Sequence, residues 1–175
     1  HGRRGVMILE TPDDIANAFD EACVLEELIE IRQEISVIVS RNESGCIECY
    51  DPVLMIFNRE RMILDFQMCP ANIDINAAMQ ACNLAVKTAE ALKLVGIMVV
   101  EMFIATDGKL YVNELAQRPH NSGHNTIEAN NISQFEQQMR IILGLPMGNA
   151  KLNKASVMIN ILEPAAHRKS VIADA

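Results

Sequence analysis

Between Glu101 and His124 the chain reads EMFIATDGKLYVNELAQRPHNSGH, a stretch that gathers carboxylates, a guanidinium, two imidazoles and several uncharged donors. Asp107-Gly108 lies between two alternating apolar runs. That is a hairpin signal, because a two-residue type I′ turn requires positive φ at both central positions. With those residues as the turn, Thr106 pairs with Lys109 and Glu101 falls directly opposite Glu114. Facing carboxylates with Cβ atoms about 5 Å apart repel each other unless something positive lies between them. Oxygen ligands suit hard Mg²⁺, which takes one or two protein carboxylates and completes its shell with water and substrate phosphates. The same pairing also describes a solvent-facing edge with two unrelated glutamates, and charge pairing alone does not choose between them.

The loop that leaves the Glu114 strand, Gln117-Arg118-Pro119-His120-Asn121-Ser122-Gly123-His124, can bring its side chains beside that pair. Loops anchored on rigid strands are where sites are usually built. Arg118 offers a planar fork for a carboxylate or phosphate, His120 titrates near neutral pH, and Asn121 and Ser122 add uncharged donors.

These residues carry a resemblance. Glu101, the pair Asn113-Glu114 and the run Arg118-Pro119-His120-Asn121-Ser122-Gly123-His124 are similar to the 5-(carboxyamino)imidazole ribonucleotide synthase family of the ATP-grasp superfamily. Paired acidic residues on neighbouring strands recur across that superfamily, whereas the run from Arg118 to His124 is much narrower and carries the identification. The resemblance implies an α+β ATP-grasp fold: a mostly antiparallel sheet with packed helices, matched from about Gly5 to Leu162 and incomplete at both ends. It divides the chain into a remnant of the small ATP-grasp lobe (1–33), the large lobe (34–150) and the start of a small C-terminal domain (151–175).

The resemblance also implies a reaction in purine biosynthesis. ATP phosphorylates bicarbonate to carboxyphosphate, and the carboxyl group passes to the exocyclic amine of 5-aminoimidazole ribonucleotide. Glu101 and Glu114 would hold Mg²⁺ on the ATP phosphates, with Asn113 beside Glu114 lining the nucleotide. Arg118 and His120 would be catalytic, orienting bicarbonate and stabilising the anionic intermediate. Asn121 and Ser122, with Arg118, would contact the ribonucleotide. Glu26, Glu27, Leu28 and Ile29 would border the adenine through backbone groups, and Glu34 would accept from the ribose hydroxyls. His1 and Gly2 stand where the family's glycine-rich loop carries tyrosine and aspartate; Arg4-Gly5 is retained, which leaves Arg4 as the substrate contact there. Without the family, Glu26, Glu27, Glu30 and Glu34 read as a solvated acidic stretch.

Two alternatives accompany this reading: another ATP-grasp carboxylate–amine ligase sharing the metal hairpin, and a nucleotide-binding fragment without turnover. A zinc site on His120 and His124 fits poorly. Their four-residue spacing suits a helix, but Pro119 and Gly123 make this a loop and no thiolate lies nearby in sequence.

Length and composition are those of a globular protein of one domain or a little more. The chain has 175 residues, half of them hydrophobic, enough for a substantial core. Its formal charge of −8 argues against non-specific nucleic-acid binding, which needs a basic face. The longest apolar run, Leu94 to Val100, is too short to span a membrane. Five scattered cysteines point to a reducing compartment, and so to the cytoplasm. Cys46 and Cys49 have redox or zinc spacing in form, but in a strand positions three apart face opposite ways. A homodimer is the oligomeric state expected from the family.

The elements follow from periodicity and punctuation. Val6 to Glu10 reads as a strand, and Thr11-Pro12 starts a helix to about Ala22 whose Ile15, Ala18, Phe19 and Ala22 face a sheet. Cys23 to Ile29 reads as a strand. Glu34 to Arg41, Cys46 to Phe57 and Ile63 to Cys69 form a meander, with turns at Asn42-Glu43-Ser44-Gly45 and Arg59-Glu60-Arg61. Asn72 to Lys93 is a helix capped by Asp74, with Ile75, Met79, Cys82, Val86, Ala89 and Leu92 inward. Ile97 to Ala105 begins the hairpin. Ser133-Gln134-Phe135-Glu136 is a capping box opening a helix that ends at Gly144, and Asn153 to Leu162 is a final strand.

Overall fold

A computed structural model describes residues 6–58 and 63–161. Arg4 and the Arg59-Glu60-Arg61 turn lie outside the described residues. The elements of regular structure are β1 (Ile31–Arg41), β2 (Ile47–Cys49), β3 (Val53–Asn58), β4 (Ile63–Cys69), α1 (Ile75–Ala91), β5 (Gly96–Ala105), β6 (Leu110–Ala116), α2 (Thr126–Ala129), α3 (Gln134–Ile142) and β7 (Ser156–Ile159). The strands form one sheet in the order β6-β5-β1-β3-β4-β7, with β2 also on β1, and every pairing is antiparallel.

The centre of the sheet is the β1/β5 pair, in continuous register from Gln33 opposite Ile104 to Arg41 opposite Gly96, with an irregularity between that run and the Ile31–Ala105 pair. Both strands are rich in Ile and Val and covered on both faces, as central strands must be. Their alternation separates two cores. Ile35, Val37 and Val39 with Met98, Val100, Met102 and Ile104 face α1, while Ile38, Ile97 and Val99 face the opposite side with Ala116 and Ile132. Glu101 shares parity with Val99, and Ser36 is its partner on β1, so the second face is the one that carries the candidate site.

Helix α1 begins where expected, the Asp74 carboxylate accepting from the Asn76 backbone N–H at 2.8 Å. Its buried face matches the predicted stripe only in part, at Ala89 and at Cys82 and Val86, which pack against the core. Ala81, Ala85 and Ala89 are fully buried, whereas Ile75, Met79 and Leu92 are exposed. Alanine lets the helix axis approach the sheet closely, and packing density outweighs the larger side chains' periodicity. The predicted single strand Cys46 to Phe57 is interrupted between β2 and β3. Tyr50 still donates to the Ile38 carbonyl at 2.9 Å, but Pro52 has no N–H to continue the ladder. Cys46 and Cys49 keep different company. The Cys46 thiol meets Ser44, while Cys49 donates to the Tyr50 carbonyl and its pKa is raised by its contact with the Cys82 thiol and by burial.

Of the N-terminal expectations only the helical start holds, with Thr11 as N-cap and Pro12 at the first position. Val6 to Glu10 and Cys23 to Ile29 are irregular, and the helix shrinks to a short 3₁₀ segment, Pro12–Asn17, that buries nothing. Val24 and Leu25 are 85% and 84% exposed. Strands need a neighbour for their backbone groups and short helices need a packed face; among the described residues this segment has neither.

The hairpin turn also differs. Gly108 donates to the Ala105 carbonyl and Ala105 to the Lys109 carbonyl, both at 2.9 Å, so the loop is three residues, Thr106-Asp107-Gly108, with Gly108 at φ +84°. This is a turn closed by a glycine bulge, and the Asp107 carboxylate fixes it by accepting from the Lys109 backbone N–H at 3.0 Å. At the other end, α3 stops as its glycine predicts. Leu145 donates to the Arg140 carbonyl and Gly144 to that of Ile141, with Gly144 at φ +65°. The final strand, β7, pairs with β4 and extends the same sheet.

Candidate functional site

A three-residue turn shifts the register by one residue, and near the turn Phe103 indeed faces Tyr111 and Met102 faces Val112. A second irregularity restores it. Asn113 is an extra residue between the Met102–Val112 and Glu101–Glu114 pairs, so Glu101 stands opposite Glu114 as predicted, although every pair nearer the turn is displaced. Strand bulges re-aim side chains and are frequent beside sites. Asn113 and Glu114 are exposed, and Glu101, the cross-strand partner of Glu114, is half-buried.

The electrostatics agree with that convergence. The Glu101 carboxyl is raised above its ordinary pKa, by burial first and then by the negative charges of Glu114 and Glu34, with Arg118 pulling it back. Glu34, on β1 opposite Phe103, therefore belongs to the same acidic group. His120 Nε2 lies 3.7 Å from Glu101 Oε1, too long for a hydrogen bond. Its pKa is lowered by burial first and then by Arg118, against an upward pull from Glu114. Burial and the Arg118 guanidinium thus favour the neutral imidazole, against the pull of Glu114. Arg118 is exposed and donates to the Pro119 carbonyl at 3.2 Å.

The loop beyond His120 is built inward. His120 Nδ1 is 3.1 Å from Ser122 Oγ, and Ser122 is fully buried, so this hydroxyl touches the imidazole rather than open solvent. Asn121 keeps a buried Oδ1 without a partner. His124 takes another direction, its ring 5.9 Å from that of Phe135. Glu26, Glu27 and Leu28 are exposed and irregular, and Ile29 is half-buried. The chain just after them is fixed to the hairpin tip, where the Thr106 N–H donates to the Glu30 carbonyl at 2.9 Å and its hydroxyl to the Glu30 carboxylate at 3.1 Å.

Sequence reasoning missed the side chains that hold this loop. Gln67 on β4 and Gln134 on α3 are fully buried. Gln67 Nε2 donates to the Ser122 carbonyl at 2.9 Å and to Asn125 Oδ1 at 3.1 Å. Gln134 Oε1 accepts from the His120 N–H at 3.0 Å while its Nε2 donates to the His120 carbonyl at 2.6 Å. The available signal was negative: the apolar stripe of α3, Phe135, Met139 and Ile142, is exposed, and the residues turned inward are Gln134, Gln137 and Ile141.

Two carboxylates in register, one of them destabilised as an anion by burial and then by the other, form a donor set that fits a divalent cation sharing its shell with phosphates. Among the described residues, no three His, Cys, Asp or Glu side chains come together as a self-sufficient metal cage. No described helix is long and apolar enough to cross a membrane.

Known proteins resemble the chain in sequence and in fold. The N5-carboxyaminoimidazole ribonucleotide synthase of Bacillus subtilis is 44% identical over 140 residues, 80% of this chain and 36% of that protein. The crystal structure of the Thermotoga maritima N5-carboxyaminoimidazole ribonucleotide synthetase superposes with a TM-score of 0.80 at 42% identity, covering 89% of this chain and 41% of that one. The Aspergillus clavatus synthase, solved with ADP and 5-aminoimidazole ribonucleotide, gives a TM-score of 0.73 at 32% identity over 79% of this chain and 37% of that one. The chain therefore spans well under half the length of these relatives. The ATP-grasp domain family matches residues 1–135, most of the chain. The antiparallel sheet, the paired carboxylates and this match agree: the chain belongs to the ATP-grasp family.

Proposed function

We propose that the protein containing this chain is an ATP-dependent ligase that carboxylates 5-aminoimidazole ribonucleotide with bicarbonate. The observation that carries the reading is the register of Glu101 opposite Glu114 with the His120 imidazole 3.7 Å from Glu101, in a loop of the sequence RPHNSGH. Glu101 and Glu114 hold Mg²⁺ in this reading, and bound there the ion neutralises charge on the ATP phosphates. Glu34 takes the ribose hydroxyls, Glu26, Glu27, Leu28 and Ile29 border the adenine, and Asn113 and Glu114 line the phosphate end.

A bicarbonate oxygen attacks the γ-phosphorus of ATP, and the bond to the β-phosphate oxygen breaks to leave ADP and carboxyphosphate. The exocyclic amine of the ribonucleotide then attacks the carboxyphosphate carbon. A C–N bond forms, the C–O bond to phosphate breaks, and the amine loses a proton. Arg118 supplies positive charge to the carboxylate and phosphate oxygens as it develops. His120, whose neutral form is favoured by burial and by Arg118, orients bicarbonate and is able to take the amine proton. Asn121 contacts the ribonucleotide, Ser122 acts there through His120, and Arg4 contributes from the glycine-rich loop.

The same reading assigns 1–33 to the small lobe, 34–150 to the large lobe and 151–175 to the start of the C-terminal domain, in a cytoplasmic homodimer. The test is product formation by the full reading frame with Mg-ATP and bicarbonate. Expected is carboxylated product with ADP in equal amounts, dependent on aminoimidazole ribonucleotide. ADP release indifferent to that amine, but stimulated by another, would assign the site to a different carboxylate–amine ligase; no nucleotide turnover would make it a binding fragment.

A further inference from the structure

Helix α3 is turned the wrong way round for its composition: its apolar stripe faces out and its glutamines face in. Buried amides persist only where their hydrogen bonds are made, and those of Gln134 are made with the backbone of one residue. Oε1 accepts from the His120 N–H and Nε2 donates to the His120 carbonyl, the two-bond pattern by which a neighbouring strand would hold that residue. Gln134 is itself fixed. Its backbone N–H donates to Thr126 Oγ1 at 2.9 Å, and that hydroxyl donates to the Gly123 carbonyl at 2.6 Å. Gly123 packs flush against it, because a Cβ there would lie 2.6 Å from Gln134 Cδ and 2.4 Å from Ile38 Cδ1.

We propose that Gln134 is a positioning residue for the reaction, its side-chain amide serving as a one-residue strand that fixes the His120 backbone and so aims the imidazole at Glu101. Ring direction follows from backbone direction, and a displacement of about 1 Å in a catalytic group costs ~10²-fold in rate. This role rests on the function proposed above. It also makes a claim independent of any substrate, that the His120 amide is protected by a side chain rather than by secondary structure.

An internal control exists. Gln137 pairs in the same two-bond manner with Gly148, its Oε1 accepting from the Gly148 N–H and its Nε2 donating to the Gly148 carbonyl, both at 2.9 Å, on a segment that carries none of the site side chains. If α3 glutamines merely staple loops, replacing either should do the same thing.

The experiment compares Gln134→Met, Gln134→Glu, Gly123→Ala and Gln137→Met in the full reading frame. Amide hydrogen exchange at His120 and the kcat and KM for ATP are the readouts, with thermal unfolding as the check on folding. Gln134→Met, of similar volume without either hydrogen bond, is expected to lose at least 10-fold in His120 protection and at least 10-fold in kcat, with KM for ATP within 2-fold. Gln134→Glu keeps the acceptor for the His120 N–H and should retain protection there while losing the donor to its carbonyl. Gly123→Ala, which displaces the clamp without altering its chemistry, should reproduce the Met variant. Gln137→Met should lower the melting temperature and leave both His120 readouts unchanged. Unaltered His120 exchange in folded Gln134→Met, or the same kcat loss in Gln137→Met, overturns the proposal. Loss of His120 protection in a protein whose wild type never carboxylates the ribonucleotide would overturn the proposed reaction and leave the clamp standing.

Discussion

At the scale of single residues the site is defined by charges that the fold makes costly. Glu101 is half-buried beside Glu114 and Glu34, so its anion is disfavoured in the folded state. The Glu101→Gln and Glu114→Gln variants should therefore fold at least as well as the parent without metal, gaining up to about 0.5 kcal/mol for relieved cross-strand repulsion. ATP turnover should fall by ~10²-fold or more; undiminished turnover in either variant would remove the metal role. Arg118→Ala and His120→Ala should instead lower kcat by ~10²-fold and leave KM for ATP within a few-fold, because in the proposed reaction the charges they would meet develop away from the adenine. Equal losses in both constants would make them general phosphate ligands. The two perturbed groups also give opposite pH dependences of stability. For His120 the folded pKa lies below 6.5, so the unfolded chain takes up the proton first, and stability is lost as pH falls from about 6.5 toward that lowered value. For Glu101 the folded pKa lies above 4.5, the folded chain holds the proton longer, and stability declines as pH rises through that window. Urea midpoints measured against pH should show the acid-side loss disappear in His120→Asn and the second decline disappear in Glu101→Gln.

At the scale of elements, the correct pairing of Glu101 with Glu114 rested on a turn read one residue short and a bulge not read at all. Asp107-Gly108 does mark the turn, but the choice between a two- and a three-residue loop depends on the Asp107 carboxylate reaching the Lys109 N–H. No local rule announces Asn113 as a bulge. Deleting Asn113 should leave the hairpin folded, with stability within about 1 kcal/mol, because the rest of the ladder closes over it. Nucleotide turnover should fall at least 10-fold if the bulge sets the direction of Glu114, and unchanged turnover would show it to be incidental. Asp74, Ser133 and Gly144 were legible because caps are local chemistry. The inward faces of α1 and α3 were not, because a buried alanine or glutamine has the same sequence signature as a solvated one. Enlarging the α1 seam makes that concrete: Ala85→Leu should cost roughly 1–3 kcal/mol, since Ala85 is fully buried against the sheet.

At the scale of the whole molecule, the described residues pair the well-packed β1/β5 centre with unusually bare outer surfaces. Leu28 is exposed like Val24 and Leu25 before it, and on α3 Met139 and Ile142 are 53% and 63% exposed. The segment 6–30 was the least legible part of the sequence for the same reason: its apolar alternation promises strands and a packed helix, and periodicity does not say what they pack on. A chain with half its residues hydrophobic and such side chains in rows carries patches that water disfavours, and the net charge of −8 opposes contact only weakly at physiological salt. These 175 residues expressed alone should therefore associate as concentration rises from micromolar to submillimolar, measurable by sedimentation velocity. The paired substitution Met139→Glu with Ile142→Glu should shift the distribution toward monomer without lowering the unfolding midpoint by more than about 0.5 kcal/mol, since neither side chain is buried. A chain that sediments as a monomer throughout that range would show that the surface is tolerated by water as it stands. Association that survives the α3 substitutions would move the adhesive surface to the exposed Val24-Leu25-Leu28 segment, where Leu25→Glu tests it in the same way.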